Sequence, residues 1–136
     1  MDRYTELLME LGSEIGQPLH PDKRGVCKLN VNDLFHVQIE NDLQRESLLI
    51  GTFIGEIIPG KFRENILREA LKANKDVHLG ILAYSGKNNQ LALFSHLPVR
   101  GIQGKELLGF LNEFIDKASS WRTALESGVI PTPKKL

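Results

Sequence analysis

The chain has 136 residues, a length that suits one domain with a sizeable core. At 41% hydrophobic and 25% charged, its composition excludes a disordered polypeptide. Lysine plus arginine equals aspartate plus glutamate, at 17 each, so no basic excess points to nucleic acid or to an anionic membrane surface.

A helix is predicted over about 2–15. Tyr4, Leu7, Leu8, Leu11 and Ile15 form one stripe, Glu6, Glu10 and Glu14 lie beside it, and Gly16 and Pro18 stop it. After a loop over 17–25, strands are predicted over 26–31 and 34–40, joined by the turn Asn32-Asp33. In the second of these Phe35, Val37 and Ile39 alternate with His36, Gln38 and Glu40, so one face is covered and the other is wetter. The lone Cys27 lies in the first, as a buried thiol that has no disulfide partner.

The stretch 48–55 is uncharged and rich in β-branched residues, as a well-covered strand should be. A helix follows over about 61–74. Phe62, Ile66, Leu67, Ala70 and Leu71 recur at helical spacing, and Arg63, Glu64, Arg68, Glu69 and Lys72 fill the other face. Strand patterns precede and follow this helix, so it must lie on a sheet built from both sides of it or meet a partner. A strand over 77–84, a turn-rich loop over 85–89 and a strand over 90–97 come next. The last helix spans about 104–125, with a seam of Leu107, Leu111, Phe114, Ala118, Trp121 and Leu125. Residues 1–126 form the expected domain. Gly128, Pro131 and Pro133 make 127–136 a non-helical, mobile tail. The order α-β-β-β-α-β-β-α, with short turns within each strand group, predicts an α+β fold: a twisted antiparallel sheet covered by helices.

Chemistry-bearing motifs are weak. Gly55-Glu56-Ile57-Ile58-Pro59-Gly60-Lys61 nearly matches a phosphate loop between a strand and a helix. Phe62 stands where a magnesium-binding hydroxyl is needed, Pro59 removes a backbone donor, and no carboxylate ends the following strand. A small-ligand or nucleotide-binding domain using this loop is the alternative reading. His20-Pro21-Asp22 matches the tripeptide of J-domain co-chaperones, but a strand follows it and the preceding helix is acidic. The histidines His20, His36, His78 and His96 lack metal-ligand spacing, and no serine has a nucleophile-elbow setting. An enzyme is not expected, and neither is a cofactor or a metal. No run reaches the ~18 apolar residues of a membrane span, and the N-terminus lacks a signal peptide's apolar core. The expectation is a soluble protein of a reducing cytoplasm.

Several phrases, in order, resemble the CesT/SycE (Tir chaperone) class I chaperones of bacterial type III secretion. They are Leu11-Gly12, Ile15-Gly16 and Pro18-Leu19; Asp22, Gly25, Cys27 and Leu29; Leu67, Leu71, Ala73 and Asn74; Leu79-Gly80 and Leu82; Leu91, Leu93 and Leu97-Pro98; and Phe114-Ile115, Ala118, Trp121-Arg122 and Leu125. The resemblance covers about residues 4–126. It implies a small cytosolic homodimer, or a heterodimer with a paralogue, without catalytic activity. Such a dimer holds an extended N-terminal segment of a secreted effector, keeps it soluble and presents it to the secretion ATPase. Many members are acidic, and this chain is neutral. The expected dimer interface is Phe62, Ile66, Leu67, Ala70 and Leu71 on the second helix, with Val77, Leu79 and Ile81 on the fourth strand. An unfolded segment offers no preformed surface, so capture should use strand addition and apolar pockets. Leu7, Leu8, Leu11, Leu29, Val31, Phe35, Val37 and Ile39 are the candidates for those pockets, spread out and with no charged hot spot.

Overall fold

The computed structural model describes residues 2–60, 63–76 and 79–131. Its elements are α1 (Arg3–Ile15), β1 (Val26–Val31), β2 (Phe35–Asp42), β3 (Ser47–Glu56), α2 (Arg63–Ala73), β4 (Ile81–Ser85), β5 (Gln90–Pro98) and α3 (Gly104–Ser127). The strands form one antiparallel sheet in the order β1-β2-β3-β5-β4.

Local chemistry sets the helix ends. The Asp2 carboxylate accepts the Thr5 N–H at 2.8 Å and caps α1, and Gly16, at φ 75°, closes it. At α3 the Glu106 carboxylate reaches back to the Gln103 N–H at 3.3 Å, and Gly128, at φ 77°, ends the helix. Both helices lie on the same sheet face. Leu7, Leu8 and Leu11 from α1 and Leu107, Phe114, Ala118 and Trp121 from α3 meet Phe35, Val37, Ile39, Leu48, Ile50, Leu91 and Leu93 in one core. The two helices are also tied by polar contacts. Arg3 donates to the Glu10 carboxylate and to the Ile102 carbonyl, and Glu10 accepts the Gly104 N–H at 2.9 Å. A Cβ at Gly104 would stand 2.5 Å from that of Glu10, so a side chain there would force the helices apart.

A register shift between Phe53 and Gly55 bulges β3 against β5. The Arg122 guanidinium holds the bulge by donating to the Ile54 carbonyl at 2.9 Å. Ile54 and Ile57, on either side of Gly55, are both fully buried.

The expected α+β order is the one observed. Element boundaries differ where side chains replace backbone pairing. The second helix stops at Ala73, because Asn74 turns its amide to β4. The fourth strand is Ile81–Ser85, and the part of the expected strand that is described before it, Leu79 and Gly80, takes left-handed φ of 67° and 117°. Lys61, Phe62, Val77, His78 and the tail 132–136 lie outside the described residues. Helix α2 packs along the β4 edge of the sheet and leaves the second sheet face uncovered.

Phe114 is fully buried at the centre of the α3 seam. Phe114→Ala should cost about 3–5 kcal/mol, read as a fall in the urea midpoint.

Candidate partner-binding surfaces

A sheet of this order has two edges, β1 and β4. In an antiparallel ladder a residue turns both backbone groups toward one side, and the next residue turns them toward the other. Val26 shows which way β1 faces. Its N–H donates to the Asp22 carboxylate at 3.0 Å and its C=O accepts the Asp22 N–H at 2.8 Å, so both groups point away from β2. By alternation Lys28 and Asn30 also turn their N–H and C=O to the free edge. Asp22 thus fills the pairing position at the start of β1, and the rest of the edge is open. Its carboxylate, held by the Val26 and Arg24 N–H groups, has a pKa below the usual range. The tripeptide His20-Pro21-Asp22 has this local structural role.

The β4 edge is capped at Leu82. Asn74 pairs with Leu82 as a strand would: its side-chain amide donates to the Leu82 C=O at 2.8 Å and accepts the Leu82 N–H at 2.8 Å. Arg63, at the start of α2, donates to the Tyr84 hydroxyl at 3.0 Å and to the Asn89 side-chain oxygen at 2.8 Å. Ile57, in the loop before α2, is bound to this corner. Its C=O accepts from the Asn89 amide at 2.7 Å and from Arg63 at 3.3 Å, and its N–H donates to the Asn89 C=O at 2.9 Å. These contacts commit the Ile57 backbone to the β4–β5 hairpin, so it is not free to cradle a phosphate.

The uncovered sheet face divides in two. Toward β1 it is polar, with Lys28, Asn30, His36, Gln38 and Glu40. Toward β4 it is apolar: Phe53 is 47% exposed, Phe94 40% and Ile81 48%. Register places Ile81 beside Phe94 and Phe94 beside Gly51. The Phe94 ring lies over Gly51, where a Cβ would meet it at 2.7 Å. A cavity of about 70 Å³ opens between this ring, Leu49, Phe53 and the β2 side chains His36 and Gln38. His36 and His96 both stand on this face but on strands separated by β3, and the described residues contain no cluster fit to hold a metal. No helix among the described residues is long and apolar enough to cross a membrane.

The model of the Tir chaperone protein (CesT) family matches residues 6–122. The chain belongs to the CesT family. No curated relative matches its sequence. Solved structures of similar fold include a chain of the ExsC–ExsE complex, with TM-score 0.80 and 23% identity over 92% of this chain and 97% of that one. A chain of the HopA1–SchA chaperone–effector complex matches with TM-score 0.74 and 22% identity, over 90% and 94%. The Yersinia pestis type III secretion chaperone SycH, in complex with a stable fragment of YscM2, gives TM-score 0.67 and 21% identity over 85% and 96%.

Family membership does not decide which residues meet a partner, and burial sorts the candidates. Leu7, Leu8, Leu11, Phe35, Val37 and Ile39 are interior, each at most 1% exposed in this chain. They are the core beneath α1 and α3, and nothing outside can touch them while it stays closed. Leu29 and Val31, near the open edge, are half-buried and packed against that core. On the α2–β4 side, Ile66 and Ala70 are buried within the chain and Leu67 and Leu79 are half-buried. Leu71 is 71% exposed and Ile81 48%. Phe62 and Val77 fall outside the described residues. Sequence reasoning missed Phe53 and Phe94 as surface residues, because an apolar strand pattern does not say which sheet face the helices cover. It also missed Asn74 as an edge cap. Asn74 ends an apolar helix pattern, and in sequence a terminal Asn signals only a stop.

Asn74→Ala removes both Leu82 bonds and should destabilise the chain by about 1–3 kcal/mol. Hydrogen exchange at the Leu82 amide should accelerate more than at the β2 amides.

Proposed function

We propose that this protein is a type III secretion chaperone of the bacterial cytoplasm. It binds the N-terminal chaperone-binding segment of a secreted effector, without catalysis, and keeps it soluble for delivery to the secretion ATPase. CesT family membership supports this reading, as does likeness in fold to chains of chaperone–effector complexes. The observation that carries the mode of binding is the asymmetry of the two sheet edges. Asn74 caps Leu82 of β4, which α2 flanks, whereas Lys28 and Asn30 of β1 turn backbone groups to an edge with no partner among the described residues. An extended segment can add to β1 as a further strand, and hydrogen bonds to the backbone need no folded partner. Its inward side chains would then lie beside Leu29 and Val31, which keep part of their apolar surface exposed. The cost of ordering the segment is offset by length of contact rather than by one hot spot.

Asn30→Pro tests this. It removes one edge-facing N–H and leaves the groups that pair with β2. Co-expressed with candidate secreted effectors of the same bacterium, the wild type should recover one effector as a soluble complex. The Pro variant should lose it while the circular dichroism spectrum is unchanged. Full capture by a folded Asn30→Pro protein would remove β1 from the account.

The same reading includes a homodimer. Phe53, Phe94 and Ile81 expose a row of apolar surface on one sheet face, and Leu71 of α2 is also exposed. A stable dimer buries roughly 800 Å² from each partner, so this patch would form part of a larger interface. Phe94→Asp should convert a dimer to a monomer in light scattering, with the helical signal kept.

A further inference from the structure

The whole chain is neutral, but its charge is not evenly paired. Arg3, Arg45, Arg68, Lys72, Arg100 and Arg122 all stand within ion-pair distance of a carboxylate. Lys23, Arg24 and Lys28 are exposed, and none of them is in an ion pair among the described residues. All three belong to the mouth of the open edge: Lys23 and Arg24 in the turn before β1, and Lys28 at its first free position. Arg24 and Lys28 both help to lower the Asp22 pKa, after its two backbone hydrogen bonds, so Asp22 answers part of their charge. The opposing groups are few. Asp22 is already engaged by two backbone N–H groups, and Glu40, opposite Val26, is half-buried on the polar face. Asp33 lies beyond the far end of β1, where Asn30 donates to it.

We propose that the segment received on β1 is an acidic one, with a carboxylate set beside Lys28 and within reach of Arg24. The inference rests on strand addition at β1 and adds the chemistry of the incoming chain. In an added strand, alternate side chains fall on opposite faces. Those on the inner face meet Leu29 and Val31. Those on the outer face meet Lys28 and Asn30. An alternating sequence of apolar and acidic residues satisfies both rows. Opposite charges facing each other across strands are favourable and like charges are not, so register and partner choice are set together. Lys23 and Arg24 add a field at the entrance that speeds encounter with an anionic chain at low salt.

The test uses three short synthetic strand peptides with one apolar alternation, whose outward positions are all Glu, all Gln or all Lys. Each is titrated by fluorescence anisotropy into the full-length protein, into the Arg24→Glu/Lys28→Glu variant, and into Asn30→Pro. The Glu peptide should bind the wild type about tenfold more tightly than the Lys peptide, as expected from a few charged cross-strand pairs. High salt should erode that preference, and the double charge reversal should invert it. A preference that survives the reversal unchanged, or equal binding of all three peptides, overturns the acidic segment. Asn30→Pro separates this from the reading beneath it. If that variant loses all three peptides equally, strand addition stands whatever the charge result. If it binds them as the wild type does, or if no peptide binds the wild type, strand addition and the acidic segment both fall.

Discussion

Helices α1 and α3 lie side by side on one face of the sheet, and α2, the third helix among the described residues, packs along the β4 edge instead of over the other face. The rest of the molecule depends on that one-sided packing. Phe114, Trp121, Leu7 and Leu11 press on Phe35, Val37, Ile39 and Ile50, and this contact holds the larger share of the buried apolar surface. The outer face is left to find its own solution. Near β1 it does so with polar side chains, and near β4 it keeps Phe53, Phe94 and Ile81 at the surface. Large apolar groups clustered on one exposed face are the surface that the proposed dimer would cover.

The two sheet edges show how side chains manage unpaired backbone. Asn74 imitates a strand, offering one donor and one acceptor to Leu82 at 2.8 Å each. Asp22 does similar work for Val26. The contrast has a physical basis in what flanks each edge. Helix α2 runs beside β4 and brings Asn74 with it. At β1 the edge meets only the loop from α1, whose two prolines, Pro18 and Pro21, lack the N–H groups that a continuing ladder would need. Natural sheets seldom leave an edge open without a use for it.

A neutral total charge hides a local imbalance. Most arginines of this chain are paired with carboxylates, and these exposed pairs add little to stability. The cations at the start of β1 are in no ion pair among the described residues, and the nearest carboxylate they act on is that of Asp22.

Much of the architecture was legible in the sequence. Hydrophobic period alone located the stripe of α1, the alternation of β2 and the seam of α3, because burial of one face imposes that period. Element order and short turns implied the antiparallel α+β sheet. What the pattern could not decide was which apolar residues face the core and which face out. Phe35 and Phe94 both sit in alternating strands, and the first is 1% exposed while the second is 40% exposed. The difference lies in which sheet face the two helices cover, a long-range matter. The start of β4 was equally invisible, since Leu79 takes a left-handed conformation through its tertiary setting and not through its residue type. The sequence by itself determined the class of fold, the stop of α1 at Gly16 and the family. Only the tertiary structure decided that Leu7, Leu8 and Leu11 are interior and which side chains cap the two sheet edges, Asp22 at Val26 and Asn74 at Leu82. A strand's edge is defined by its neighbours in space, and the identity of those neighbours is not written in any local period.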